Sequence, residues 1–317
     1  MKNIYSNIFK VNNTNLLKAR KSLMTNGNIG VPTETVYGLA GNAYSNIAIK
    51  KIYNLKKRPK INPLIIHYYN TKILKNDAIL NKKFFVLYKK FCPGPITFVL
   101  KKKAHTKISN LATAKLDSIA VRFPKNKVIR SLLKKVKFPL AIPSANKSGR
   151  ISPVSSQDVV DEFGKKVKFI LDNGYCKIGI ESTVVDLRGK IKILRPGAIS
   201  AKEIEKVIKL KIKNGSNKKI RSPGALKKHY SPGIKMVLNQ KRSSKKAAFI
   251  TYGHKFKDGD NTFNLSKNSN LNEAAKNLYK ILRKIKKCKF KKIYVAKIPN
   301  KNIGIAINDR LKHASSK

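Results

Sequence analysis

Apolar runs and polar breaks alternate along the first part of the chain in the pattern typical of an α/β fold. Segments with helical spacing separate the apolar runs, such as residues 46–55, where Ile49, Ile52 and Tyr53 recur on one side, and the aromatic-rich residues 82–91. This alternation predicts a sheet covered by helices. The predicted strands have the sequences NIGVP, PLIIHYY, PITFVLK, SIAVRF, FPLAIP, KFILD and ESTVVDL.

A second, smaller unit is predicted after a polar stretch. The segment IRSPGALKKHYSPGIK contains Ser-Pro-Gly twice, which indicates fixed turns. Beyond it, the pattern predicts a strand at KAAFITYG, a helix over about 270–287, a strand at KIYVAKIP and a helix over about 306–314. We therefore predict three parts: a main domain in residues 1–205, a linker in 206–235 and a small α/β domain in 236–317.

The composition limits the possible classes of protein. The chain has 317 residues, 41% of them hydrophobic, which is enough for a substantial core. No window approaches the roughly 18 apolar residues of a membrane span, and the N-terminus lacks a continuous apolar signal segment. The three cysteines lie far apart without a CxxC pair. We predict a cytoplasmic protein with no membrane contact and no metal held by its side chains.

The net charge is extreme, with 71 Lys+Arg against 15 Asp+Glu and a formal charge of +56. Such a field attracts polyanions. However, the charge is spread over the whole length and is mostly lysine among many asparagines and isoleucines, as in proteins whose coding sequence is biased toward A and T. Nucleic-acid domains usually concentrate charge on one face. A module that binds double-stranded RNA or ribosomes stays open as an alternative, and weak nucleic-acid affinity is expected from charge alone.

The stretch KKRPKINPLIIH predicts an anion site. Its two prolines hold the connection extended, so that Lys56, Arg58 and Asn62 can be aimed at one bound group before a strand that ends in His67. A solvated basic loop is the alternative explanation.

Further polar clusters stand at the ends of apolar strands, where open α/β sheets bind ligands. The turn PTETVYG presents hydroxyls such as that of Thr35. In SIAVRFP, Arg122 shares the polar side of a half-buried strand with Ser118, and it can clamp a carboxylate or pair with an acidic side chain. The motif PSANKSGRISP is not a Walker A loop, but its short donors suit a ribose or phosphate. These donors are Ser144, Asn146, Ser148 and Ser152.

Two more motifs complete the predicted cleft: GIESTVVDL contributes Ser182, and ILRPGAIS contributes Arg195. A nucleophilic serine is disfavoured because no GxSxG elbow is present. Lys56, Arg58, Arg122 and Arg195 together offer cations that match the roughly four negative charges of a nucleoside triphosphate, which favours nucleotide chemistry by electrostatic stabilisation.

In this order, the motifs resemble the threonylcarbamoyl-AMP synthase family, the YrdC-like enzymes that begin synthesis of threonylcarbamoyladenosine at position 37 of tRNAs. HYSPG and GIAINDRLKHAS resemble its longer, two-domain branch. The resemblance implies a YrdC-like catalytic domain with a twisted, largely mixed sheet flanked by helices, followed by a small Rossmann-like α/β domain. It implies ligation of L-threonine, bicarbonate and ATP, with Mg²⁺ bound alongside ATP. The products would be threonylcarbamoyl-AMP, used by the downstream tRNA threonylcarbamoyl transferase machinery, and pyrophosphate.

The resemblance also implies a role for each matching residue. The residues around L-threonine would be Thr35, His67, Arg122, Ser144 and Ser182. The residues around ATP would be Arg58, Asn62, Ser118, Asn146, Ser152, Arg195 and Tyr230. Lys56 and Arg58 form the family's KxR element and are the predicted catalytic cations, while Tyr230 is the predicted lid residue, with a plain spacer as the alternative. A carbamoyl-transfer maturation enzyme is disfavoured because the zinc-finger and acylphosphatase-like segments of such chains are missing.

Overall fold

The first part of the chain forms a ten-stranded sheet in the computed structural model, which describes residues 5–212, 229–242, 244 and 246–316. Its strands are β1 (Ile8–Lys10), β2 (Ile29–Val31), β3 (Gly38–Asn42), β4 (Ile65–His67), β5 (Ile96–Lys101), β6 (Ser118–Arg122), β7 (Leu140–Ala141), β8 (Ile170–Asp172), β9 (Thr183–Asp186) and β10 (Lys192–Arg195). They lie in the order β1-β8-β2-β3-β7-β4-β6-β5-β9-β10. Neighbours are parallel in some pairs, such as β4 and β6, and antiparallel in others, such as β5 and β6, so the predicted mixed sheet is confirmed.

Helices flank this sheet, and side-chain caps fix where they begin. They are α1 (Asn13–Met24), α2 (Asn46–Lys56), α3 (Thr71–Leu74), α4 (Lys82–Phe91), α5 (Lys127–Val136), α6 (Ser156–Phe163) and α7 (Ala201–Ile208). The start of α2 illustrates the rule, because the Ser45 side chain accepts a hydrogen bond from the Ala48 backbone N–H. The helix ends at Lys57, which adopts a left-handed conformation. Lys56 is therefore the last residue of α2, and Arg58 lies at the start of the loop that follows it.

A four-stranded parallel sheet follows. Its elements are β11 (Lys235–Val237), β12 (Ala248–Thr251), β13 (Thr262–Asn264), β14 (Lys292–Val295), α8 (Leu271–Lys287) and α9 (Gly304–Ser315). The strands lie in the order β11-β14-β12-β13, and every neighbouring pair is parallel. This confirms the small Rossmann-like domain, although the pattern of apolar residues did not predict β11 and β13.

The two sheets share one hydrophobic core, in which buried residues of α8 and α9 join those of the first sheet. Helix α8 lies directly on the loop before β9. A Cβ atom at Gly179 would lie 2.5 Å from the Cα of Lys276, and Gly179 has a φ of +84°, so both the contact and the backbone conformation favour glycine. The second sheet is therefore packed tightly against the loops of the first.

The predicted three-part division stays a proposal. Helix α7 extends to Ile208, inside the predicted linker of residues 206–235, and residues 213–228 lie outside the described part of the chain. In the ranges that the structure describes, no helix is both long and apolar enough to cross a bilayer.

Candidate active site

One cavity brings together most of the predicted site residues. Its volume is about 550 Å³, counting the space that opens to solvent. Eight predicted residues line it: Thr35, Arg58, His67, Arg122, Ser144, Ser182, Arg195 and Tyr230. They lie far apart along the chain, and the topology of the large sheet explains why they meet.

The sheet brings the ends of several strands to one edge. His67 and Arg122 are the last residues of the parallel neighbours β4 and β6, and they are paired in register. Strand β9 runs opposite to β6, because it is parallel to β5, which is antiparallel to β6. Ser182, just before β9, therefore reaches the same edge. Since β10 is antiparallel to β9, its last residue, Arg195, returns there as well.

At one end of the cavity, Arg122 forms a buried ion pair. Its Nη2 donates to Glu34 Oε1 at 2.7 Å and to Thr35 Oγ1 at 3.0 Å. Burial would raise the pKa of the Glu34 carboxyl, but the charge of Arg122 lowers it below its ordinary value, so the pair is ionised. The buried Nε of Arg122 has no hydrogen-bond partner among the described residues. Arg122 thus pairs with an acid, whereas its contact with a ligand carboxylate stays a prediction, for which the Nε donor is free.

His67 is neutral and has one nitrogen available. Burial, and then the charge of Arg122, lower the pKa of His67 well below its ordinary value. Its Nδ1 lies 3.2 Å from the Ile65 carbonyl oxygen, which fixes the tautomer with a proton on Nδ1. The Nε2 atom has no partner in the described ranges and is left as a hydrogen-bond acceptor. This end of the cavity therefore combines a free donor and a free acceptor with little net charge.

At the other end, two arginines contact neutral oxygens. Arg58 donates from Nε to the Asn62 carbonyl at 2.9 Å and from Nη2 to the Asn62 side chain at 2.6 Å. Arg195 Nη2 donates to the Ser182 carbonyl at 2.9 Å. Both arginines line the same cavity, and burial lowers the pKa of Arg58 to about 10, with a further lowering by the charge of Arg195. Their positive charge makes this end suited to an anion.

Glu181 is the carboxylate that lines this cavity, and sequence reasoning gave it no role. Its Oε1 accepts a hydrogen bond from Ser152 Oγ at 2.6 Å, and its Oε2 accepts from Arg310 Nε at 2.8 Å and from Tyr279 OH at 3.0 Å. Burial would raise the pKa of Glu181, but the charges of Arg310 and Arg195 and the Ser152 hydrogen bond bring it to about 2. The sequence contained one indication of this pair. Arg310 stands on the apolar face of α9 beside Leu311 and Ala314, and an arginine buried on such a face needs an acidic partner.

Five predicted site residues do not line the cavity: Lys56, Asn62, Ser118, Asn146 and Ser152. The first supports a loop, because the buried Lys56 Nζ donates to the backbone carbonyls of Ser144 and Asn146. Burial, and then the charge of Arg58, lower its pKa well below the ordinary value.

Of the other four residues, three form hydrogen bonds within the protein and one lies at the far end of a strand. Asn62 holds Arg58, Ser152 holds Glu181, and the Asn146 side chain donates to the Arg150 carbonyl. Ser118 begins β6, and at about 3.3 Å per residue it lies about 13 Å along the strand from the end that carries Arg122. The ligand-binding roles expected for these residues stay predictions.

The first two residues of the HYSPG motif line the cavity. Tyr230 is buried, has a φ of +61° and lies with its ring 4.0 Å from the ring of His229. Its hydroxyl has no hydrogen-bond partner among the described residues. The Ser231 N–H donates to the Gly149 carbonyl at 2.8 Å, which ties this segment to the PSANKSG loop. His229 lines the cavity as well, and the sequence reasoning missed it.

These features define a class: α/β proteins with an arginine-lined cavity at one edge of a large mixed sheet. The segment that leads to a second sheet contributes to the lining. Two family matches divide the chain between them. A family described as telomere recombination, which groups Sua5, YciO and YrdC, matches residues 21–197, and the threonylcarbamoyl-AMP synthase C-terminal domain matches residues 199–316. The chain therefore belongs to the threonylcarbamoyl-AMP synthase family, as the motifs indicated.

Individual relatives agree over nearly the whole length. The threonylcarbamoyl-AMP synthase of Pyrococcus abyssi is 34% identical over 313 residues, which cover 90% of each chain. That of Bacillus subtilis is 31% identical and covers 96% of this chain and 94% of its own. The crystal structure of P. abyssi Sua5 complexed with L-threonine has a TM-score of 0.89 at 32% identity and covers 97% of both chains. The two-sheet architecture is thus shared from end to end.

Proposed function

We propose that this enzyme makes threonylcarbamoyl-AMP from L-threonine, bicarbonate and ATP and releases pyrophosphate. This would be the first step of threonylcarbamoyladenosine synthesis at position 37 of tRNAs. Family membership supports the reaction, and the relative solved with L-threonine supports the amino acid. The observation that carries the proposal is the contrast within one cavity, where a nearly neutral polar end adjoins a cationic end.

The neutral end suits the amino acid. Threonine is a zwitterion, so its site needs a donor for the carboxylate and an acceptor for the amine, with little net charge. The unpartnered Nε of Arg122 is the donor for the carboxylate, and His67 Nε2 is the acceptor for the amine or hydroxyl. Thr35, Ser144 and Ser182 supply short hydroxyl side chains around them. The pairing of Arg122 with Glu34 keeps the arginine oriented and balances its charge.

The cationic end suits the triphosphate. In the proposed reaction, the threonine ammonium first loses a proton to solvent, the nitrogen then attacks the bicarbonate carbon, and loss of water leaves a carbamate. A carbamate oxygen then bonds to the α-phosphorus of ATP as the bond to the bridging oxygen breaks, and that electron pair leaves with pyrophosphate. Arg58 and Arg195 are held in advance where negative charge increases on the leaving group, which is the arrangement that lowers such barriers most.

A divalent metal ion fits this site only together with the nucleotide. The described residues contain no cluster of three or more His, Cys, Asp or Glu side chains. Glu181, the carboxylate in the lining, is already occupied by three donors. Mg²⁺ would thus be held by phosphate oxygens and water and would neutralise part of their charge.

The alternative of an RNA- or ribosome-binding module is not favoured. A binding module has no need of a neutral amino-acid site buried beside a cationic end, and its relatives would not be named as synthases. The large positive charge leaves room for weak, salt-dependent contact with tRNA or with the downstream transferase that consumes the product.

The deciding experiment is pyrophosphate release from ATP with threonine and bicarbonate supplied together or omitted singly. We expect release only when both are present, and threonylcarbamoyl-AMP as the partner product by mass spectrometry. Release that ignores threonine, or RNA binding without any ATP turnover, would contradict the proposal.

A further inference from the structure

The carboxylate of Glu181 joins the first sheet to both helices of the second. It lies in the loop before β9, yet Oε2 receives hydrogen bonds from Arg310 on α9 at 2.8 Å and from Tyr279 on α8 at 3.0 Å. These contacts span 129 and 98 residues of sequence. Arg310 is only 1% exposed and Glu181 6%. A buried carboxylate that loses its partner strongly destabilises a protein, so the contact of Glu181 with Arg310 and Tyr279 favours one arrangement of α8 and α9 on the first sheet.

Arg310 makes three contacts at the cavity: with the residue before Ser182, with the residue after Arg195 and with the ring of Tyr230. Its Nε holds Glu181, which precedes Ser182, and its Nη2 donates at 3.0 Å to the carbonyl of Pro196, which follows Arg195. Its guanidinium carbon lies 4.9 Å from the ring centre of Tyr230. The segments that carry Ser182 and Arg195 are therefore clamped by one side chain from the second sheet.

The position of these segments matters for the cationic end. Arg195 reaches the cavity while its Nη2 donates to the Ser182 carbonyl at 2.9 Å, so a shift of either segment moves the arginine. A displacement of about 1 Å in a catalytic group can cost about 100-fold in rate. Among the described residues, the strands and helices of the second sheet contribute no side chain to the lining, and only His229 and Tyr230, in the segment before β11, reach it from that side.

We propose that Arg310, assisted by Tyr279, is a positioning residue through which the C-terminal sheet sets the active-site geometry. The inference rests on the proposed synthase function and deepens it, because it gives the second domain a task within the reaction. Arg310 does not touch the substrates in this scheme. It acts through Glu181 and Pro196 on Ser182 and Arg195, and through its ring contact on Tyr230.

The first test compares two arginines at the same interface. Arg283 on α8 lies 3.6 Å from Asp158 and 3.5 Å from Glu162 of α6 and donates from Nη2 to the Ile151 carbonyl at 2.8 Å. It makes no hydrogen bond to Glu181 among the described residues. We expect Arg310→Met to lower kcat/KM for pyrophosphate release by about 100-fold. Arg283→Met, the matched control, is expected to stay within about threefold of wild type.

The outcomes separate this inference from the proposed function. Wild-type enzyme that releases pyrophosphate only with threonine and bicarbonate, together with equal losses in the two variants, would leave the synthase intact and overturn the positioning role. Wild-type enzyme that releases none would remove the synthase function itself, and the inference with it.

A milder variant covers the case in which Arg310→Met fails to fold. Tyr279→Phe removes one hydroxyl from Glu181 and keeps both the ring in the core and the Arg310 ion pair, so the protein is expected to fold with a lowered temperature of thermal unfolding. We expect about a tenfold loss in kcat/KM, because the lost bond was made to a charged group. A folded Tyr279→Phe enzyme with full activity would contradict the role of α8.

The pH profile gives a readout that simple loss of packing would not move. The charged and titratable groups facing the Glu181 carboxylate are Arg195, Arg310, Tyr230, Tyr279 and His229. Without Arg310, burial is less opposed, so the pKa of Glu181 rises. If activity needs ionised Glu181, activity of Arg310→Met falls toward acid pH where wild type is flat, and adding Glu181→Gln removes that acid limb. Identical profiles for wild type and Arg310→Met would overturn the proposal.

Discussion

The two ends of the cavity hold their arginines in opposite ways. Arg122 is paired with the Glu34 carboxylate at 2.7 Å, whereas Arg58 and Arg195 donate to carbonyl and amide oxygens of Asn62 and Ser182. The first arrangement neutralises the charge, and the second orients the cation while leaving its charge in place. In the proposed reaction, the zwitterion would bind beside Arg122 and the polyanion beside Arg58.

The same difference predicts different consequences of mutation. Removing a paired cation leaves a buried carboxylate behind, so the cost falls on folding. Removing a cation that contacts neutral oxygens leaves no stranded charge, so the cost falls on the negative transition state. Stability and activity measured on the same variants therefore test the comparison directly.

The largest expected effect is on stability at the neutral end. Arg122→Met leaves the Glu34 carboxylate, whose side chain is 7% exposed, without its counterion, and we expect a loss of about 3–5 kcal/mol in the free energy of unfolding. Urea unfolding of the purified protein measures this loss. The double variant with Glu34→Gln should recover most of the stability but not the affinity for threonine measured by calorimetry. An Arg122→Met protein as stable as wild type would show that the pair does not hold this end together.

The next effect is on catalysis at the cationic end. Arg58→Met is expected to cost about 2–4 kcal/mol of transition-state stabilisation, seen as a fall in kcat/KM for ATP. The loss in urea unfolding should be smaller than for Arg122→Met, because Asn62 loses hydrogen bonds but no carboxylate loses its counterion. Lys60→Met is the matched control, because Lys60 is an exposed cation in the same loop. If the two variants lose activity equally, the general positive charge matters and the aimed arginine does not.

The motifs that contribute residues to both ends of the cavity could be found in the sequence, because each follows or precedes a strand of the large sheet. His67, Arg122 and Arg195 stand at strand ends, so an apolar run followed by a polar residue was enough to bring them to one edge. Lys56 shows the limit of that reasoning. Lys56 stands two residues before Arg58 in the same motif, but its side chain points to backbone carbonyls and does not line the cavity that Arg58 lines. The sequence does not specify these side-chain directions.

The contacts that sequence reasoning missed are long-range pairs between charges. Arg122 meets Glu34 across 88 residues and Arg310 meets Glu181 across 129, and no local pattern specifies which acid a buried arginine selects. The missed strands have a different cause. The strands β1, β3, β11 and β13 were not predicted. The sequence of β3, GLAGN, contains two glycines and that of β13, TFN, a single apolar residue, so neither forms an apolar run. Their place in the sheet is set by packing against neighbours that the pattern did predict.

A smaller effect concerns pH, with one histidine at each end of the cavity. Burial, and then the charge of Arg122, lower the pKa of His67 well below its ordinary value; burial, with nearby cations, lowers that of His229 to about 3. The unfolded chain binds these protons more readily, so stability is full above roughly pH 6.5 and is lost as the pH falls below it. Each histidine should cost about 1 kcal/mol of unfolding free energy between roughly pH 6.5 and 5.5.

Replacing one histidine tests whether His67 and His229 contribute separately to the pH dependence of the free energy of unfolding. His67→Gln should roughly halve the loss measured by urea unfolding over that pH range, since His229 still contributes. His105→Gln is the control, because His105 is exposed and distant from both ends, and the loss should stay as in wild type. A pH dependence that His67→Gln leaves unchanged would show that His67 is not buried in the neutral form in solution.

The smallest expected effect is on ligand binding, and it tests at which end of the cavity Tyr230 acts. The Tyr230 hydroxyl is buried at the cavity without a hydrogen-bond partner among the described residues, so it is available to a ligand. If it contacts the nucleotide, Tyr230→Phe should weaken ATP binding by about 0.5–1.5 kcal/mol and leave threonine affinity unchanged. Titration calorimetry with each ligand measures both, with Tyr175→Phe, an exposed tyrosine outside the lining, as the control. Weaker threonine binding with unchanged ATP binding would reverse the assignment, because it would place the lid over the neutral end.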